Sequence, residues 1–309
     1  MQHVCSNCLA DKVAGYFHIE RDMSVMRETV PIRIEKNFDI PSIPLVLMKI
    51  LQVLDDDLAS AGQMEELILH DPPLSARILK LANSAFYSFR AEVKTISHAI
   101  SLLGINLVKS LAIGVNIFDS FTRGMRSEAQ ILNKLWVHSF GVAMVAQEIW
   151  TNRSSRKDGE FAFMCGLLHD IGKVVFFKQD AFHYKAVFSA DKSPNDPDIS
   201  RHEMGYYGTD HAAVGAILAK EWGLPPELAT IIRYHHSPLN SPVLMASAIS
   251  IADMIAKKTE IGYDGDRKVN PAVARIQARL NMNAEECNRL IAFATGKRKS
   301  IEEFFELSS

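Results

Sequence analysis

Apolar positions recur at spacings of three and four along most of this chain, the period of helices that bury one face. Ile43, Val46, Leu47, Ile50, Leu51 and Leu54 predict one such amphipathic helix. Ser60 followed by Gln63 has the form of a capping box for a short helix after it. Asp71-Pro72-Pro73 predicts a further start, with Asp71 as cap and proline in the first turn. Leu74, Ile78, Leu81 and Ala82 supply its inner face, and Asn106 to Phe118 forms another apolar helix. Strand-like alternation is scarce: Val174-Val175-Phe176-Phe177 is the best run, and it reads as a continuation of the helix that holds His169. The pattern predicts an all-α protein.

Polar stretches divide the helices. The first 35 residues are weakly periodic and read as a tail or small appendage, while 151–159 and 190–200 have linker composition. Helical patterning resumes at Asn270, and Lys297-Arg298-Lys299 followed by Glu302-Glu303 reads as a solvated helix start.

With 309 residues the chain can bury one large core or two smaller ones. Its 48% hydrophobic and 23% charged residues are ordinary for a globular protein, and a net charge of -2 offers no bulk attraction to nucleic acid or anionic lipid. The longest apolar run, Val243–Ala256, falls short of the ~18 residues of a spanning helix and contains Asp253. No secretory pattern opens the chain, and four cysteines make no disulfide framework. These features lead us to expect a cytoplasmic protein with no membrane partner and no direct nucleic-acid contact.

The chemistry lies in seven residues: His138, His169, Asp170, His211, His235, His236 and Asp253. Asp253 is the only charged residue in its apolar run and follows Ala246 and Ile249 at helical spacing. A carboxylate on that face must be protonated, paired or bound to a cation. His138 precedes Val142, Val145 and Ile149 on one stripe; His211 precedes Gly215, Leu218 and Trp222 in the same way. His235 follows Leu228, Ile231 and Ile232. One histidine on an apolar face is usually a hydrogen-bonded core residue. Several on separate helices point to convergence on a divalent transition metal, with iron, manganese and zinc all compatible.

Lys173 stands one helical turn after Asp170, where an ammonium can meet an acid or a phosphate, and is the candidate catalytic residue. The plainer alternative for it is a solvated helix-face charge. Arg233 is a second candidate source of positive charge. Cys5-x-x-Cys8 with His3 and His18 offers half of a zinc site, and Cys165 and Cys287 read as packing residues. No Gly-rich phosphate loop, G-x-S-x-G elbow or dinucleotide fingerprint is present.

Four stretches resemble the HDOD family, a divergent branch of the HD phosphohydrolase superfamily. They are Ile40-Pro41-Ser42-Ile43-Pro44; His70-Asp71-Pro72-Pro73-Leu74 through Leu81-Ala82-Asn83-Ser84; Thr95 to Ile100 with Leu103-Gly104; and the histidine series with Trp222-Gly223-Leu224-Pro225 and His235-His236-Ser237-Pro238. The resemblance spans about residues 36–260. It implies two packed helical lobes, an HDOD-type lobe over 36–125 and an HD-like metal lobe over 130–260, followed by a helical extension over 261–309. It also implies a bacterial signalling or regulatory role. His138, His169, Asp170 and Asp253 match the four-ligand HD pattern, and His211, His235 and His236 resemble second-metal ligands of HD-GYP cyclic dinucleotide phosphodiesterases. No Gly-Tyr-Pro follows His235-His236; Gly-Tyr at 205–206 and 262–263 sits in another context.

The expectation is therefore a regulatory protein that holds one or two divalent metal ions and has little or no turnover. Its partner would be a signalling protein or a nucleotide second messenger. The alternatives are a metal-dependent phosphohydrolase acting on a nucleotide or cyclic dinucleotide, and a scaffold whose histidines only pack.

Overall fold

A computed structural model describes residues 61–306, apart from 85, 86, 88, 90, 123 and 190–197, together with 42, 43, 48 and 49. Nearly all of the helix expected over 43–54, the Ser60 cap and the Cys5/Cys8 segment lie outside the described residues. So does most of the 190–200 linker.

The fold is all-α, and no strand occurs among the described residues. Its first four helices are α1 (Ala61–Leu69), α2 (Pro72–Ala82), α3 (Ile96–Leu103) and α4 (Ile105–Thr122). The predicted start of α2 is found as read: the Asp71 side chain accepts from the Leu74 amide at 3.1 Å, and Pro72 fills the first turn. Leu74, Ile78, Leu81 and Ala82 are all buried. Asn83 then ties the connection to α3, its side chain bonding the Val93 carbonyl and amide at 2.8 and 2.7 Å. Gly104 turns the chain between α3 and α4 at φ +93°, a conformation that glycine adopts without penalty.

The long helix α5 (Ala129–Thr151) runs through the molecule, packed on α6 (Arg156–Leu168), with α11 (Met245–Lys258) and α13 (Ala284–Glu306) also lying along it. Close approach of α5 and α6 depends on Gly166, where a Cβ would stand 2.6 Å from the Ala143 backbone. The α3–α4 corner is fixed to α6 by the Arg156 guanidinium, which donates to the Leu103 carbonyl at 2.9 Å. Next come α7 (Ile171–Ser189), α8 (Ile199–Tyr207), α9 (His211–Glu221) and α10 (Pro226–Tyr234), with α9 packed between α7 and α10. A short α12 (Val273–Arg279) leads into α13.

Three readings of the sequence need correction. Val174–Phe177 is helical, but α6 ends at Leu168 and α7 begins at Ile171, so His169-Asp170 forms a turn between two helices. Just after this turn Gly172 lies against the first turn of α9. Lys297–Lys299 lies inside α13 rather than at a start, with Arg298 paired to Glu302 and Glu260. The linker after α5 is also shorter than read, because the Ser155 hydroxyl caps α6 from the Asp158 amide. Cys165 and Cys287 are buried, as expected for packing residues.

No single helix among the described residues is long and apolar enough to cross a membrane. The bent pair α3–α4 reaches that length and hydropathy together, and its apolar residues are packed in the core.

A candidate metal centre built around Asp170

The seven candidate ligands come from five different parts of the fold and meet in one buried cluster. His138 comes from the middle of α5, His169 and Asp170 from the α6–α7 turn, and His211 from the first residue of α9. His235 and His236 follow the end of α10, and Asp253 lies in α11. Three overlapping groups hold their ligand atoms within 4.8 Å of one another: Asp170 with His211, His235 and His236; His138 with His169 and Asp170; and His138 with Asp253 and Asp264. Asp170 belongs to two of these groups, and His138 also to two.

Glycines make the convergence possible. A Cβ on Gly172 would lie 2.0 Å from the His211 carbonyl and 2.8 Å from the Gly215 amide, so only glycine allows α7 and α9 to touch there. That contact sets Asp170 beside His211. Gly262 (φ +61°) lies equally close to α5, where a Cβ would stand 2.3 Å from the His138 amide nitrogen. The Tyr263 amide then donates to the Lys134 carbonyl at 3.0 Å. Gly262-Tyr263 is therefore a packing device that carries Asp264 into the cluster.

Three of the imidazoles, those of His169, His211 and His235, are aimed by a bond to the other ring nitrogen. His169 Nδ1 faces the Gly166 carbonyl at 2.7 Å, and His235 Nδ1 faces the Ile232 carbonyl at 2.7 Å. His211 Nδ1 bonds the buried Glu203 at 2.6 Å, and the His211 amide donates to the same carboxylate at 2.8 Å. Tyr184 donates to the other Glu203 oxygen at 2.5 Å. These bonds leave the Nε2 atoms directed inward, the arrangement in which outer partners fix the tautomer and orientation of ligating histidines.

Two of the inward atoms lack partners, and others face one another. His169 Nε2 and Asp170 Oδ1 are buried with no hydrogen bond among the described residues, although His211 Nε2 lies 3.2 Å from that oxygen. His211 Nε2 faces His236 Nε2 at 2.8 Å and His235 Nε2 at 3.4 Å; His235 Nε2 is 3.7 Å from Asp170 Oδ1. Facing lone pairs repel unless a proton or cation lies between them. Ligands ~2.0–2.2 Å from a shared ion stand about 3.0–3.5 Å apart, close to these separations. The donor set fits a divalent transition metal on this geometry.

Charge points the same way. Around the site five carboxylates are buried (Asp170, Glu203, Asp253, Asp264 and Asp266) against two ammoniums, Lys173 and Lys257, and the two imidazoles they favour in the protonated form, His138 and His211. Lys257 touches Asp253 at 3.1 Å, Asp264 at 3.1 Å and Asp266 at 3.2 Å. Lys173 is held between Asp170 at 2.7 Å and Asp264 at 2.9 Å. Buried charge of one sign in excess is costly, and a cation relieves it. Asp253 bonds His138 Nε2 at 3.0 Å.

The protonation states follow from these neighbours. Burial alone would lower the His211 pKa, but Glu203 outweighs it and pushes the group up to about 9. His138 is also raised, since Asp264 and Asp253 overcome its burial. His235 and His236 stay well below the ordinary imidazole value through burial and the neighbouring rings. Burial would raise Asp170, but His169 and Lys173 hold it well below the usual carboxylate range. Asp253 is likewise low, through Lys257 and His138.

Lys173 is fully buried between two acids, so the structure assigns its ammonium to the ion network instead of an open anion site. Arg233 is exposed and 3.9 Å from Asp210. Glu203, Lys257, Asp264 and Asp266 were not singled out from the sequence. The one legible signal was the density of acids in 264–266 beside the lone Asp253 helix.

The sequence pattern of the HDOD domain matches residues 40–238. The chain belongs to the HDOD family. The domain match ends before Asp253, so the α11 carboxylate and the 257–266 ion network lie beyond it. A Treponema pallidum protein of uncharacterised role is 25% identical over 240 residues, a match that takes in 72% of this chain and 45% of that protein. An HDOD domain protein of unknown function from Geobacter sulfurreducens has a TM-score of 0.70 at 25% identity, covering 88% of this chain and 94% of the other. A candidate phosphohydrolase from Shewanella amazonensis has a TM-score of 0.68 at 25% identity, covering 87% and 95%. The His/Asp groups of this HDOD protein could hold a divalent metal.

Two outcomes are expected. Glu203→Gln keeps the shape but removes the charge that aims His211, so metal affinity should fall about 10–100-fold, read by titration of the apoprotein; an unchanged affinity contradicts the orienting role. In the metal-free protein the raised His211 pKa contributes stability that is fully present below the unfolded value of 6.5 and is lost as pH rises through about 9. Metal affinity should rise over the same interval, because ligands must shed their protons. Thermal melts of the apoprotein at the two ends of this range test the sign: an apoprotein more stable at the alkaline end refutes it.

Proposed function

We propose that this HDOD protein is a bacterial regulatory protein of the cytoplasm that holds one or two divalent ions at an HD-type His/Asp centre and turns over little or nothing. The observation that carries this reading is the enclosure of the cluster. His138, His169, Asp170, His211, His235 and Asp253 are each at most 6% exposed. A hydrolytic metal site keeps a coordination position open to water and room for the substrate. Here Lys173, the nearest cation to Asp170, is tied to carboxylates on both sides. In this reading His138, His169, Asp170 and Asp253 serve one ion and His211, His235, His236 and Asp170 a second, with iron, manganese or zinc as the metal. The segment over 36–125 acts as a separate lobe that meets a signalling protein or a nucleotide second messenger.

A second reading, a metal-dependent phosphohydrolase acting on a nucleotide or cyclic dinucleotide, draws support from the Shewanella amazonensis neighbour and from the partial exposure of His236. Elemental analysis of protein purified without added metal, followed by a phosphodiesterase screen of the loaded protein, separates the two. The regulatory reading predicts bound transition metal and no turnover of cyclic-di-GMP above the metal-free control. Robust turnover abolished in His169→Ala and Asp170→Ala would establish the second reading, and absence of metal would refute both.

A further inference from the structure

Of the seven clustered residues only His236 is incompletely buried, and a cavity of about 260 Å³ opens to solvent beside it. The cavity is walled by Ser237 and Asn240 on one side and by Asn270 and Arg275 on the other. No carboxylate lines it. Arg275 stands exposed in α12 and makes no hydrogen bond or ion pair with any described residue. The surroundings of the cavity are nevertheless firmly built. The Asn270 side chain donates to the His236 carbonyl at 2.9 Å, and Arg279, one turn beyond Arg275, donates to the Pro238 and Ser241 carbonyls, the latter at 2.7 Å. The short helical turn Pro238–Asn240 is thereby clamped against α12.

An uncommitted guanidinium, a hydroxyl and an amide line the cavity beside the partly exposed His236. Planar, five-donor arginine suits phosphate, which it can hold with two parallel hydrogen bonds. The volume lies below the ~300–1,000 Å³ of sites that enclose drug-sized ligands, so it takes the anionic end of a small molecule rather than a whole dinucleotide.

We propose that this cavity is a binding site for a phosphate monoester, with Arg275 as its anion-reading residue and Ser237 and Asn240 as polar partners. It rests on the reading above, in that the phosphate would sit beside a metal-loaded His236, and it gives that regulatory protein a small phosphorylated ligand to sense. The residues that read the ligand thus come from α12 and the Pro238–Asn240 turn, in place of a Gly-Tyr-Pro element after His235-His236.

The test is calorimetric titration of the full, metal-loaded chain with AMP, with adenosine as control, in wild type and Arg275→Gln, with metal content measured on each sample. The expected result is AMP binding weakened about tenfold or more in Arg275→Gln, no comparable adenosine binding, and equal metal content in both proteins. Because Arg275 is exposed and unpaired, the variant keeps its fold, and its melting temperature without AMP should match wild type. Absence of AMP binding, AMP binding indifferent to Arg275→Gln, or adenosine binding as tight as AMP would each overturn the proposal. Lack of metal in the wild type would instead refute the reading on which it rests.

Discussion

Asp170 takes a carboxylate into the centre of a helical core, where an unbalanced charge is among the least tolerated things a fold can contain. Much of the surrounding architecture answers that charge. Lys173 grips one oxygen from the first turn of α7, while His211 and His235 face the other without completing a hydrogen bond. A second layer then balances the balancing groups: Asp264 shares Lys173 and Lys257, and Asp253 and Asp266 share Lys257. The network is left incomplete at His169 Nε2, Asp170 Oδ1 and Asp264 Oδ1, which are buried without a hydrogen-bond partner among the described residues. That incompleteness is what gives the cluster a cation-binding character.

Helix packing supplies the precision. Ligands from the α6–α7 turn, α5, α9, α10 and α11 meet only because backbones approach more closely than a Cβ would permit at Gly166, Gly172 and Gly262. Burial of the apolar faces of α5 and α11 holds these elements in place and supplies the main driving force. The polar cluster contributes specificity of arrangement within that apolar frame, and the same enclosure that orients the ligands restricts access by water.

Much of this was legible from residues alone, for identifiable reasons. Asp253 stood out because a lone acid in an apolar helical run has few places to go, and His138 and His211 because their stripes were unambiguous. Asp71-Pro72-Pro73 announced its helix through local chemistry that needs no tertiary partner. Glu203, by contrast, sits in a helix rich in polar residues, Ser200-Arg201-His202-Glu203, and nothing in that pattern tells a buried acid from a solvated one. Asp264 and Asp266 lie in a segment whose Gly, Asp, Arg and Lys content reads as an exposed loop, yet both are buried by ion pairs with Lys173 and Lys257. Buried ion networks borrow the composition of surface loops, and only the three-dimensional packing separates the two. The break at His169-Asp170 carries no local signal either: the apolar pattern runs on from Leu168 into Ile171.

The central claim is that Asp170 is shared between two cation positions, one on the His138 side and one on the His211 side. Anomalous diffraction from crystals of the protein loaded with zinc or manganese tests it most directly. The account predicts two anomalous peaks flanking the Asp170 carboxylate, each ~2.0–2.2 Å from imidazole nitrogens of its own group. Peaks confined to the protein surface, or full loading with neither peak within bonding distance of Asp170, would contradict it.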